Sequence, residues 1–211
     1  GFLGRAGGIS RGIYAGLNIG LGSDDDRDVI IENRRRAAAG VLPGSELVTV
    51  HQVHSPDVVI VTQSIAVDAR PHADAMVTDQ PGLLLGILTA DCVPVLFFDS
   101  EAEVIGAAHA GWKGAIGGVT DSTIAAMEGL GASRENIACA IGPCIAQMSY
   151  EVDQGFYEIF LREKPDNARF FEAGQPGHYQ FDIEAYVAER LASADITKIE
   201  KLGLDTYANE D

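Results

Sequence analysis

The sequence predicts a layered α/β fold, a mixed sheet flanked by helices in a single domain over residues 1–211. Three observations predict it. Short β-rich runs crowd the middle of the chain, and several are apolar throughout, as strands covered on both faces are. Longer segments with apolar residues at helical spacing stand before and after them. No internal repeat or low-complexity linker separates the two kinds of element, so they share one core.

The opening "GFLGRAGGISRGIYAGLNIGLGSDDD" is rich in glycine and short of helix signals, and reads as a short strand and turns. In "DRDVIIENRRRAAAG" acids lead, arginines follow and Gly40 stands as the stop, the order that suits a helix macrodipole. "ELVTVHQVH", "DVVIV", "ADAMVTD", "GLLLGILTA", "VPVLFFD" and "VIGAAHA" read as strands, most of them parted by Gly, Pro, Asp or Ser. "GGVTDSTIAAMEGLGAS" reads as a helix, and "NIACAIGPCI" as a return to strand. "VDQGFYEIFLRE" and "FDIEAYVAERLASA" are helical, the second with Ile183, Tyr186, Val187 and Leu191 on one face. "EKPDNARFFEAGQPGHYQ" between them reads as a loop-like insertion, and "ITKIEKLG" as a weak closing strand.

A net charge of −16 repels phosphate backbones and disfavours nucleic acid as a partner, though a local basic pocket still suits a small phosphorylated ligand. Apolar residues make up 46% and charged residues 22%, which excludes a disordered chain. No apolar run approaches the ~20 residues of a membrane span. No signal peptide stands at the start, which lacks a methionine. Three cysteines without paired spacing argue against a disulfide framework and for a reducing, cytoplasmic setting.

His54, Cys92 and His109 each stand where an apolar run meets a turn. Two imidazoles and a thiolate suit Zn²⁺, and three protein ligands leave a fourth position for water or substrate. The plain alternative is a buried core cysteine and two satisfied histidines. Spacing does not separate the two readings, because nothing here resembles a Cys-x-x-Cys finger. Cys139 and Cys144 read as core, and His51, His72 and His178 as surface or structural residues. The glycines of "GWKGAIGG" read as a tight turn that also permits close approach to a ligand. Lys113 within it is a phosphate candidate or a solvated lysine.

Taken together, "GRAGGISRGIYAGLNIG", "ENRRR", "HQVHS", "ADAMVTDQPGLLLGILTADCVPVLFFD", "AAHAGWKGAIGG", "IGPCI" and "YEV" resemble, in order and over nearly the whole chain, the YfiH/laccase-domain family. That family is also called the multicopper polyphenol oxidase or purine nucleoside phosphorylase family. The resemblance implies a fold likened to the catalytic domain of cytotoxic necrotising factor toxins. It implies zinc held by His54, Cys92 and His109, with Cys92 and His109 also catalytic. It implies phosphorolysis of purine nucleosides (inosine, adenosine, methylthioadenosine), with adenosine deaminase activity beside it. Ser55 stands where glycine is commoner. Family members usually continue past Asp-Thr-Tyr into Phe-Ser-x-Arg-Arg, whereas this sequence ends at Asp211; if that basic segment binds phosphate, part of the site is missing here.

Phosphorolysis needs phosphate held beneath the anomeric carbon, tolerance of positive charge on the sugar, and a donor to the departing purine. Arg5 and Lys113 are the phosphate candidates on charge and motif context. Deamination uses the metal more directly, to activate water against purine C6, with Asp74, Asp91 or, more weakly, Glu151 moving protons. The cytidine-deaminase pattern is absent, since Gln147 stands where its second cysteine belongs.

Three rivals remain open. A copper polyphenol oxidase would use the same His₂Cys set, but five histidines leave little for a second, histidine-rich cluster. A metal-free hydrolase or amidase, acting on cell-wall precursors, would use Cys92 as nucleophile and His109 as base. A non-catalytic metal-binding or scaffold protein is the third. The sequence leaves the oligomeric state open.

Overall fold

The fold comes from a computed structural model, which describes residues 1–209; Glu210 and Asp211, where the sequence ends, lie outside the described residues. The elements begin with helix α1 (Arg27–Val41) and strands β1 (Glu46–Val48), β2 (Val58–Ile60), β3 (Ala75–Thr78), β4 (Leu83–Leu85), β5 (Val93–Asp99) and β6 (Val104–Ala110). Helices α2 (Trp112–Gly117) and α3 (Val119–Gly129) follow, then β7 (Ala138–Ile141), β8 (Glu151–Asp153) and α4 (Gln154–Glu163). The chain continues through β9 (Phe171–Ala173), β10 (His178–Phe181), α5 (Ile183–Ser193) and β11 (Lys198–Lys201).

The main sheet runs β11-β7-β5-β6-β3-β2. Its centre is antiparallel, and its two outer pairs, β2 with β3 and β7 with β11, are parallel. The β5–β6 hairpin is set by chemistry at its turn. Asp99, fully buried, accepts hydrogen bonds from the backbone N–H groups of Glu101, Ala102 and Ser133, and Glu103 takes a left-handed φ of 55°.

Strand alternation then divides the core. Ala75, Val77, Ala108 and Ala110 face the helices, where they pack with Ile124, Val187 and Leu191. Met76 faces the other way, into a smaller cluster with Val48, Val50, Val61 and Ala73 beside the parallel β1–β4 pair. The mixed α/β architecture expected from the sequence is the one observed. Ile183, Tyr186, Val187 and Leu191 are all buried along α5, as their spacing requires. Among the described residues no helix is long and apolar enough to cross a membrane.

Four local expectations are corrected. The opening segment forms no extended strand; it folds as a Ser10–Gly16 bridge around a 3₁₀ turn at Gly12–Tyr14. The reason is Asn33, fully buried on α1, whose amide bonds Ser10 Oγ and the carbonyls of Gly16 and Asn18 and accepts from Ile9 N–H. Gly40 does not stop α1 but lies inside it, and the arginines stand mid-helix, where Arg35 and Arg36 pair with Glu32. The start does follow the dipole, since the Asp26 carboxylate caps the N–H groups of Asp28 and Val29.

The loop-like insertion folds into a 3₁₀ helix (Pro165–Phe170) and two strands, β9 and β10, which join β8 in a three-stranded antiparallel sheet. Its aromatic residues explain this. Phe160 sits with its ring centroid 4.7 Å from Phe181, 5.0 Å from Tyr186 and 5.5 Å from Phe171, so the segment is pinned by burial. Lastly, Gly-Trp-Lys-Gly is the first turn of α2 rather than a loop.

Candidate metal centre

The site lies where β6 ends beside the start of β5. Register places it there: Pro94 pairs with His109, and Val93 with Ala110, so Cys92 emerges next to the end of β6. On β6, Ala108 and Ala110 turn to the helix face, which sends His109 to the opposite side. The third residue, His54, comes from the loop after β1 and holds a left-handed φ of 61°, a conformation a non-glycine residue adopts only when its surroundings impose it.

What imposes it is Asp74. This residue directly precedes β3, whose Ala75 pairs with Ala108, so Asp74 stands opposite His109. It is 0% exposed. Its Oδ2 accepts from the backbone N–H groups of Val53 (3.0 Å) and Ser55 (2.7 Å), which clamps the loop around His54. Its Oδ1 lies 2.8 Å from His109 Nδ1. One carboxylate therefore fixes two candidate ligands, presenting His54 and leaving the Nε2 of His109 free to point at Cys92. Burial alone would push the Asp74 carboxyl up; hydrogen bonds from His109, Ser55 and Val53 outweigh it and hold the group at about 2. For His109, burial works to lower the pKa, but the bond to Asp74 and the neighbouring Cys92 sulfur raise it to about 9.

Cys92 Sγ lies 3.8 Å from His54 Nε2, and one ligand atom from each of His54, Cys92 and His109 falls within 4.8 Å of the others. A tetrahedral ion with bonds of about 2.0–2.3 Å separates its ligand atoms by about 3.3–3.8 Å, so the set closes on such an ion with small side-chain shifts. The donors also fit in kind, since thiolate and imidazole suit Zn²⁺ or copper. Among the described residues this is the one group of three or more His, Cys, Asp or Glu side chains placed to hold a metal.

The surroundings keep the cluster tight. A Cβ on Gly111 would fall 2.5 Å from His54 Cδ2 and 3.0 Å from Cys92 Sγ, so only glycine leaves room. Gln52, which the sequence reading passed over, bonds both the C=O (2.7 Å) and the N–H (2.9 Å) of Leu88, tying the His54 loop to the segment that leads into Cys92. The motif "HQVHS" was the signal for it.

The other sequence candidates are not members of the three-residue cluster. Lys113 is exposed on the first turn of α2, its Nζ 5.4 Å from the Trp112 ring centroid. Arg5 is exposed and donates to the Ala15 carbonyl at 3.1 Å, within the N-terminal turns. Asp91 accepts from the Thr206 hydroxyl at 2.8 Å, and Glu151 is exposed on β8. Cys139 and Cys144 are buried, and burial pushes both thiols up to about 12. His51 and His72 stack on each other at 4.7 Å, away from the three-residue cluster.

Known proteins resemble this chain over most of its length. A purine nucleoside phosphorylase of Deinococcus radiodurans is 41% identical over 204 residues, covering 96% of this chain and 74% of that protein. The purine nucleoside phosphorylase YfiH of Escherichia coli is 36% identical over 197 residues, covering 92% and 78%. Among solved structures, a Neisseria meningitidis protein superposes with a TM-score of 0.90 at 32% identity, over 98% of this chain and 83% of that one. YlmD from Geobacillus stearothermophilus gives a TM-score of 0.88 at 30% identity, over 98% and 81%. The model of the family described as multi-copper polyphenol oxidoreductase laccase matches residues 1–211, and the chain belongs to that family.

Proposed function

We propose that this chain is a zinc-dependent purine nucleoside phosphorylase, cleaving inosine, adenosine and methylthioadenosine with phosphate, and that it deaminates adenosine at the same centre. The relatives named purine nucleoside phosphorylase support the reaction class. The observation that carries the site is the convergence of His54, Cys92 and His109 within 4.8 Å beside a buried orienting carboxylate. When bound, zinc supplies Lewis-acid charge at the open side of this cluster. Asp74 holds the proton of His109 on Nδ1 and leaves the lone pair of Nε2 to ligate at the cluster. Gly111 keeps the approach free of side-chain bulk. Arg5 and Lys113 supply positive charge to phosphate in this otherwise acidic protein. Zinc is favoured over copper because the described residues offer one cluster, where a multicopper centre needs several. The reading places the enzyme in the cytoplasm and treats residues 1–211 as one catalytic unit.

The test is release of hypoxanthine from inosine, with and without phosphate, by the zinc-loaded protein and by His54→Ala. Phosphate-dependent release that disappears in the variant is the expected result; no release by the zinc-loaded parent overturns the reading.

One observation favours a second reading. Asp74, His109 and Cys92 line up as orienter, base and nucleophile, the arrangement of a cysteine hydrolase. An amidase acting on cell-wall precursors would lose activity to a thiol reagent but keep it in a chelator, the reverse of what a metal-dependent enzyme does in chelator.

A further inference from the structure

Tyr150 stands just before β8, and its ring is fixed against Phe181 (5.7 Å) and Phe156 (6.0 Å). Its backbone is equally constrained, donating to Gln147 O at 3.2 Å and accepting from Phe181 N–H at 3.0 Å. The segment that carries it is laced to the approach to Cys92. Ile145 N–H donates to the Asp91 carbonyl at 2.9 Å. Asp205 takes the Ala146 N–H (3.1 Å) and the Ser149 hydroxyl (2.6 Å), holding the same segment from its other side.

The phenol ends this rigid arm near Cys92 and Asp91, and among the described residues its oxygen has no hydrogen-bond partner and is not closed off from solvent. A rigid ring whose hydroxyl meets no protein partner and stays open to solvent beside a candidate centre can bond a ligand there. A phenol titrates at about 10 in water, so near neutral pH it is an O–H donor.

We propose, resting on the phosphorylase reading above, that Tyr150 is a catalytic residue whose O–H donates a hydrogen bond to the purine as it departs. In the step, the C1′–N9 bond breaks with its pair going to the base, a bond forms from C1′ to an oxygen of hydrogen phosphate, and the proton of hydrogen phosphate passes to the base. The need for a donor peaks as negative charge gathers on the purine.

The test compares Tyr150→Phe with the parent, both zinc-loaded, on inosine and on 7-methylinosine, whose cationic base leaves without needing a donor. The variant keeps the ring, so its melting temperature and zinc content are checked against the parent's. We expect kcat on inosine to fall about 100-fold with KM little changed, and kcat on 7-methylinosine to fall less than about threefold. Equal losses on both nucleosides, or no loss on inosine, overturn the assignment. A parent inert toward both overturns the phosphorylase reading itself.

Discussion

Asp74→Asn removes one charge and almost no volume, yet the geometry predicts a specific loss. The carboxylate accepts three hydrogen bonds, at 3.0 Å from Val53 N–H, 2.7 Å from Ser55 N–H and 2.8 Å from His109 Nδ1. An asparagine has one acceptor and one donor end. With its oxygen toward Val53 and Ser55, its NH₂ faces His109 Nδ1, which must turn acceptor; the ring proton then moves to Nε2 and blocks the atom that ligates. Turned about, the NH₂ confronts two backbone donors and the loop around His54 opens. Either way one ligand is misplaced, and losing such an orienting partner costs about 10–100-fold in metal affinity.

The pH dependence carries the sign. His109 in the metal-free parent is raised to about 9, so between pH 7 and 9 a proton competes with the metal, and affinity climbs with pH. Without the carboxylate that proton is held less tightly and the climb flattens. The two effects oppose each other at pH 7 and separate above pH 9. Zinc affinity should therefore be measured by competition with a chromophoric chelator across this range. The expected result is a weaker variant at the alkaline end and a shallower slope. Parallel profiles, or affinities within about twofold at the alkaline end, would refute the role given to Asp74.

Gly111→Ala suits the local backbone (φ −66°, ψ 161°) but sets a methyl 2.5 Å from His54, so it should weaken zinc binding at least about tenfold with the melting temperature of the metal-free protein nearly unchanged. Of the three free cysteines, Cys92 alone is not buried; a thiol-reactive chromogen should label it alone in the native metal-free protein, all three after denaturation, and none natively once zinc is added. Phe160→Ala empties the aromatic cluster that pins β9 and β10, and should cost about 3–5 kcal/mol in a urea titration while leaving zinc affinity unchanged in the folded protein.

Which parts of this molecule were legible in the sequence follows from how far apart the partners lie. The start of α1 and the break between strands β5 and β6 were readable because Asp26 and Asp99 cap backbone groups within a few residues. The insertion after α4 was misread because Gly174 and Pro176-Gly177 punctuate it as a loop, while the aromatic contacts that make it a sheet reach across to α5. Helix α2 was missed for a related reason. Its glycines each cost a helix about 1 kcal/mol against alanine. Yet Gly114 is there because a Cβ would press on the Ser55 carbonyl at 3.3 Å, so packing overrides propensity.

The candidate ligands came from motif order, since His54 and Cys92 are 38 residues apart and no spacing rule joins them. Asp74 was seen only as one of several acids that move protons, although an acid inside the apolar run "ADAMV" must find donors when it is buried. Its donors lie 19, 21 and 35 residues away, and the farthest, His109, meets it only because β3 pairs with β6 in one register. A one-residue slip would turn His109 into the helix-facing core and take from the buried Asp74 its bond to His109. The register of β3 on β6 is thus a requirement of fold and centre together, and the same ladder of bonds that seals the core aims the histidine.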